Sequence, residues 1–344
     1  MQLTRRTLLQ AAAALAAVQA PLKAGAADSV RVDQLWPTYR ERFVHADGRV
    51  MDTGNDGISH SEGQGWGMLL AGAAGDWDAF DRIWNWTDAN LRWSGAPLFA
   101  WKWDPKTGEV VDPNNASDGD ILISWALARA GYFTKRTELV EAAKTSAVGV
   151  RRLLTDHVAG VTALLPGFTG FSKNAVATIN LSYYVFPAFA HLNQVDPSPL
   201  WQTLSVNGAQ LALHARFGPH SLPPDWLALY PNGQMQPAQD WPARFSFDAV
   251  RIPLYLYWAG YDSVQHLGTY QTAWAAPDAP AWFTLETGPN AEYEASNGVK
   301  SIAQLIRTHR PEGGTLWPAV KEGDYYSASL AMLSSLAAEE RGAK

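Results

Sequence analysis

Beyond residue 26, apolar side chains recur at intervals of three and four: Leu35, Tyr39 and Phe43; Phe80, Ile83 and Trp84 with Thr87; Ile121, Trp125 and Ala128. That is the period of an α-helix with one face turned to a core. The same pattern predicts helices at 137–156, 181–193, 199–215, 247–260, 299–308 and 326–340. Loops rich in Gly, Pro, Asn and Asp separate them, such as Pro166–Gly170 and Pro231–Pro237. Strand signals are few and short, βαβ alternation is missing, and no Pro/Ser-rich linker divides the chain. Residues 27–344 therefore read as one all-α domain. Ten to twelve helices joined in pairs average roughly 50 residues per hairpin, which suits a helical toroid. In such a ring the helix starts on one face converge on a shared cleft.

Residues 1–26 follow a different rule. Arg5-Arg6 precede the apolar Leu8-Leu9 and Ala11–Val18, and the small residues Ala24-Gly25-Ala26 come before Asp28. This reads as a cleavable export signal. Thr4-Arg5-Arg6-Thr7-Leu8-Leu9 also fits the twin-arginine pattern of proteins carried across a bacterial inner membrane, which predicts a periplasmic or secreted protein. The apolar stretch is too short for the roughly 20 residues that span a bilayer, so stable membrane insertion is not expected.

Composition narrows the chemistry. The 344 residues contain no cysteine, which removes disulfides, thiol nucleophiles and thiolate-bound metals. Without residues 1–26, Lys+Arg falls to 24 against 33 Asp+Glu, a net charge of −9, which argues against a nucleic-acid partner. The eight histidines show no His-Glu-x-x-His spacing for a zinc hydrolase. The anomaly is 16 Trp with 12 Tyr and 12 Phe, some clustered as Trp84-Asn85-Trp86 and Trp101-Lys102-Trp103. Flat rings suit pyranose faces, although most are expected in the core, where aromatics bury the largest areas.

Three helix starts carry carboxylates. Glu62 lies in Ser59-His60-Ser61-Glu62-Gly63-Gln64-Gly65-Trp66-Gly67-Met68, where glycines permit close approach and polar neighbours can orient an acid. The alternative is a first-turn glutamate with Ser61 as cap. Asn114-Asn115-Ala116-Ser117-Asp118-Gly119-Asp120 precedes the second start. Ser117 is expected to cap it and Asp120 to close a capping box, which leaves Asp118 spare. In the third, Phe245-Ser246-Phe247-Asp248-Ala249-Val250-Arg251, Asp248 and Arg251 are three apart and can share one helix face.

Each start has Ser followed within two residues by a carboxylate, and the three acids are separated by 56 and 130 residues. Paired carboxyl groups flanking a bond are the requirement of glycoside hydrolysis: one protonated for the leaving oxygen, one ionised for the anomeric centre. A helix N-terminus favours the anion and would lower the pKa of Glu62, whereas a general acid needs it raised. Burial and a like charge would overrule the dipole, so Asp118 is expected close to Glu62.

Ser61-Glu62-Gly63-Gln64-Gly65-Trp66-Gly67-Met68 and Ala116-Ser117-Asp118-Gly119-Asp120 resemble the two signature segments of glycoside hydrolase family 8. Asn180-Leu181-Ser182-Tyr183 and Phe247-Asp248-Ala249-Val250-Arg251 follow in the family's order, so the resemblance runs through essentially the whole chain after the leader. Leu181 stands where proline is usual and Trp66 where tyrosine is more typical. Within the family the chain is similar to the periplasmic endoglucanases associated with bacterial cellulose synthases. The resemblance implies an (α/α)6 barrel with short strands or loops around the cleft. It also implies inverting hydrolysis of internal β-1,4 bonds of cellulose, no metal or organic cofactor and a β-1,4-glucan chain as ligand; a cellulose synthase complex is the candidate partner, and a monomer is expected. By the same resemblance Glu62 is the proton donor and Asp248 the base, with Asp118 competing for the second role and otherwise holding the distorted sugar. Tyr183 and Arg251 position water and base, and Trp101 and Trp103 form sugar platforms.

Two other functions fit the same features. One keeps the fold and changes the polymer to chitosan, xylan or mixed-linkage β-glucan. The other is a noncatalytic polysaccharide-binding export accessory protein, in which aromatics grip the chain and the acids are helix caps.

Overall fold

The computed structural model describes residues 30–342, so the leader read at 1–26 lies outside the described residues. Among the described residues twelve α-helices follow in order: α1 Val32–Phe43, α2 Ser61–Ala74, α3 Trp77–Leu91, α4 Ser117–Thr134, α5 Thr137–Leu153, α6 Phe186–Val195, α7 Pro199–His214, α8 Ile252–Trp258, α9 Val264–Ala273, α10 Asn297–Thr308, α11 Gly313–Lys321 and α12 Tyr325–Gly342. The even-numbered helices form an inner ring. Each packs on the next, from α2 through α4, α6, α8 and α10 to α12, which returns to α2. The odd-numbered helices lie outside: α1 on α2 and α12, α3 on α2, α5 on α4 and α6, α7 on α6, α9 on α8 and α10, α11 on α10 and α12. This is the (α/α)6 barrel.

Burial follows position in the ring. Inner α4 is buried without interruption from Ser117 to Ala128, whereas outer α5 buries the single stripe Leu139, Ala143, Ala147 and Val150. Two buried serines of α12 bond back to their own helix: Ser329 Oγ to Tyr325 O and Ser334 Oγ to Leu330 O, both at 2.7 Å. Glycine sets the spacing of α2 and α4. A Cβ on Gly65 would lie 2.5 Å from Leu122 Cβ, and one on Gly119 would lie 2.0 Å from Ser61 Oγ and 2.9 Å from Glu62 N. The two backbones therefore touch where Glu62 and Asp118 leave them.

Short strands feed the inner helices. β1 Ser59–His60, β2 Ala100–Asp104 and β3 Glu109–Asn115 make one antiparallel sheet; β1 runs straight into α2 and β3 ends just before α4. β4 Thr155–Val158 and β5 Val161–Leu164 form a hairpin. β6 Ser172–Lys173, β7 Val176–Ile179, β8 Leu227–Leu229 and β9 Met235–Pro237 form a second sheet in that order. β10 Arg244–Phe245 pairs with β11 Phe283–Thr284.

Three features depart from the periodicity reading. The helix expected at 181–193 splits into a 3-10 turn, Leu181–Tyr183, and α6; the one at 247–260 splits into a 3-10 turn, Ala249–Arg251, and α8. Pro187 and Pro253 mark the new starts, since the first turn is where proline's missing N–H costs nothing. Helices α9 and α11 are additional. Helix α9 buries only Leu267 and Tyr270, and α11 opens on two glycines and contains Pro318, so both lack a strong apolar period. Among the described residues no helix is long and apolar enough to cross a membrane.

Candidate active site

Glu62 stands in the first turn of α2, but Ser61 is not the cap. His60 is: its backbone is extended, and its Nδ1 accepts the Gly63 N–H at 3.0 Å. At α4 the expected capping box is likewise absent. Ala116 occupies the cap position without a side-chain bond, the Ser117 N–H donates to Pro166 O at 2.8 Å, and Ser117 Oγ has no protein partner. Asp120 Oδ1 instead accepts the Phe99 N–H at 2.8 Å, and Oδ2 accepts from Asn115 Nδ2 at 2.7 Å. The chain enters α4 directly from β3, so Asp120 is spent tying that sheet to the helix. Asp118 is turned to Arg251 instead, with its Oδ1 accepting the Gly119 N–H at 2.8 Å.

Asp248 precedes the 3-10 turn that leads into α8, and its side chain makes no capping bond. Arg251 gathers all three acids. Its Nη2 lies 3.1 Å from Glu62 Oε1, 3.4 Å from Asp118 Oδ2 and 3.3 Å from Asp248 Oδ1, and donates to Ser182 Oγ at 2.9 Å. Toward Glu62 Oε1 it is near but not aligned as a hydrogen bond. Side-chain exposure separates the acids: 3% for Asp118, 14% for Glu62 and 27% for Asp248. Asp248 is the carboxylate that water reaches.

Glu62 and Asp118 are close enough to share a hydrogen bond. Burial pushes the Glu62 carboxyl well above the ordinary carboxylate range; Arg251 opposes this, and the Asp118 charge adds to it. Burial also raises Asp118, against Arg251 and the bond from Glu62. Two neighbouring carboxyls that cannot both ionise cheaply hold one proton between them, and here it rests on Glu62. Burial overrules the helix dipole.

Tyr183 ends the first 3-10 turn, with the Arg251 guanidinium 5.9 Å from its ring centre; burial and the charges of Asp118 and Asp248 hold its hydroxyl protonated. Trp66 is fully buried, donates Nε1–H to Tyr255 OH at 3.1 Å and stacks near Tyr325, so it both bonds and packs. Trp103 is half-buried and packs edge-on against Trp86 at 5.3 Å, with the Arg49 guanidinium 5.1 Å away. Trp101 is half-buried beside Lys102 Nζ at 5.5 Å. Seven of the 16 tryptophans are buried and nine half-buried, Trp101 and Trp103 among the latter.

The sequence reading passed over several residues that the fold brings to this region. Phe171, Trp226 and Trp241 stack at 5.7 Å and 4.6 Å with rings within 13° of parallel, and Trp226 meets Tyr183 edge-on at 6.0 Å. These rings come from separate loops with no shared motif. Ser182 was visible only as a neighbour of Tyr183. Asp225, in Pro223-Pro224-Asp225, carried no helix-start signal, yet it is buried behind Asp248.

A closed six-hairpin barrel with a proton-bearing carboxyl, a partner carboxylate and a water-accessible third acid at one mouth defines a glycoside hydrolase. A profile of glycosyl hydrolases family 8 matches residues 7–340. The chain is 38% identical over 318 residues to a probable endoglucanase of Novacetimonas hansenii, covering 91% of this chain and 92% of that protein. It is 37% identical over 273 residues to an endoglucanase of Cellulomonas uda, covering 78% and 76%. The structure superposes on the endo-β-1,4-glucanase CMCax from Acetobacter xylinum with a TM-score of 0.85 at 37% identity, covering 91% of this chain and 99% of that one. The chain belongs to glycosyl hydrolases family 8.

Proposed function

We propose that this chain is an exported endo-1,4-β-glucanase that cuts cellulose chains with inversion, Glu62 acting as general acid and Asp248 as general base. The observation that carries the reading is the convergence of Glu62, Asp118 and Asp248 on one guanidinium nitrogen; desolvation, with the Asp118 charge, pushes the Glu62 carboxyl well above the ordinary range. The Glu62 hydroxyl donates its proton to the glycosidic oxygen as the C–O bond breaks. Asp248 takes a proton from the water whose oxygen bonds to the anomeric carbon from the opposite face. Asp118 keeps the positive charge developing on the sugar ring company, and Arg251 with Tyr183 holds base and water in place.

Glu62 Oε1 lies 3.1 Å and Asp248 Oδ1 3.3 Å from Arg251 Nη2, so these two nearest oxygens are at most the sum of those distances apart. That ceiling falls just under the roughly 6.5–9.5 Å window of inverting enzymes, so inversion rests on the water exposure of Asp248 and the family resemblance and is decided by the product anomer. Proton NMR of the first products tests the stereochemistry: inversion yields the α-anomer, and a β-anomer would make Asp248 a nucleophile. Loss of carboxymethylcellulose viscosity, set against product release from chitosan, xylan and mixed-linkage β-glucan, tests the polymer. The endoglucanase names of the similar proteins favour the cellulose arm.

The export leader at 1–26, the single catalytic domain at 27–344 and a periplasmic or secreted location belong to the same proposal. The motivation is the twin-arginine-like start together with the relatives' endoglucanase names. Work alongside a cellulose synthase complex is the biological setting that the family resemblance suggests.

A further inference from the structure

Asp248 differs from the other two acids in how it is held. Glu62 and Asp118 stand on α2 and α4, each more than three turns long and packed against the other, whereas Asp248 sits on an isolated turn between β10 and a three-residue 3-10 segment. Its own carboxylate has one ion-pair partner, Arg251, at 3.3 Å. A base on a turn must be fixed by something outside the turn, because a misplacement of about 1 Å can cost about 100-fold in rate.

Asp225 meets that need. It lies in the loop before β8, only 8% exposed, with its own N–H tied to Arg244 O at 2.8 Å. Asp225 Oδ1 accepts two backbone N–H groups, from Ser246 at 2.9 Å and Ala249 at 2.8 Å, and Oδ2 accepts the Ser246 hydroxyl. These bonds bracket Phe247-Asp248 on both sides. The far side of the turn is pinned as well, since Tyr326 OH donates to Phe247 O and Arg251 Nη1 lies 3.4 Å from the same oxygen. A carboxylate buried this deeply within reach of another acid is costly, and burial with the Asp248 charge pushes it up to about 6. Three donors directed at one buried carboxylate offset that cost.

We propose that Asp225 is a positioning residue for hydrolysis, clamping the Ser246–Ala249 turn so that Asp248 faces the attacking water. The inference rests on the assignment of Asp248 as base. It is tested on the full chain with a soluble cello-oligosaccharide, measuring kcat and KM separately. Asp225→Ala is expected to lower kcat about ten- to a hundred-fold with KM within about two-fold, because the base is misaimed while the sugar subsites are untouched. Asp225→Asn keeps an oxygen for both backbone N–H groups and an amide for the Ser246 hydroxyl, so it should recover kcat to within about three-fold of the parent. Parental kcat in the alanine variant, or an asparagine variant as impaired as the alanine one, overturns the proposal. Should Asp225→Ala fail to fold by circular dichroism, Ser246→Ala decides: kcat several-fold lower at unchanged KM supports the clamp, and parental kcat overturns it. Asp248→Asn run in parallel separates the two claims. Retained turnover there removes the base assignment itself, while an inactive Asp248→Asn beside an unaffected Asp225→Ala removes only the clamp.

Discussion

Glu62 and Asp118 behave as one titrating unit because burial makes two adjacent anions expensive and Arg251 supplies compensation for fewer charges than surround it. Glu62→Gln keeps shape and hydrogen bonding but has no proton to give. Its kcat should fall by about 10² to 10⁴-fold while binding of a cello-oligosaccharide, read by calorimetry, is retained. Activity in the parent requires Glu62 protonated, so turnover is lost as pH rises through its raised pKa. The Asp118 anion helps to hold that pKa up. Asp118→Asn should therefore move the alkaline limb of the kcat/KM profile to lower pH, besides lowering its height; an unmoved limb would mean that Asp118 exerts no field on the acid.

At the scale of elements, the mouth of the barrel depends on how closely α2 and α4 approach. Gly119→Ala places a methyl against Ser61 Oγ and the backbone of Glu62, so the helices must separate. A destabilisation of about 1–3 kcal/mol in chemical denaturation is expected, accompanied by lost turnover because both carboxyls ride on the displaced backbones. The helices with strong apolar stripes were legible in the sequence, as were the acids at their starts. The caps were not. His60 and Ala116 occupy the cap positions, where Ser117 was expected and Ser61 was the alternative reading, because strands β1 and β3 deliver the chain into these helices already extended. Asp120 shows the same effect: its apparent capping-box spacing is used by Phe99 and Asn115, the first of them 21 residues away.

For the whole molecule, four acids largely shielded from water point one way. Burial raises Glu62, Asp118, Asp225 to about 6 and Asp120 to about 8. Between the unfolded carboxylate range and these values the folded chain binds more protons than the unfolded one, so stability declines as pH rises through that window. The thermal midpoint should be higher near pH 5 than near pH 8, and Asp120→Asn should flatten the slope between pH 6 and 8. A midpoint that rises across this range would show that the acids are not held protonated. With no cysteine in the chain, this result does not depend on redox conditions.

What the sequence determined by itself is local: helical period, the glycine-flanked acid at 62, the acids at 118 and 248, and their order along the chain. Periodicity records which face of a helix is apolar, and motif spacing records which residues travel together. Tertiary structure alone decided that Arg251 would sit among three acids drawn from distant segments and that Trp103 would pack edge-on against Trp86. It also decided that Asp225, without any motif, would stand behind Asp248. Those outcomes depend on closure of the ring, which brings the starts of six inner helices to one mouth; no window of the sequence contains the distances that closure creates.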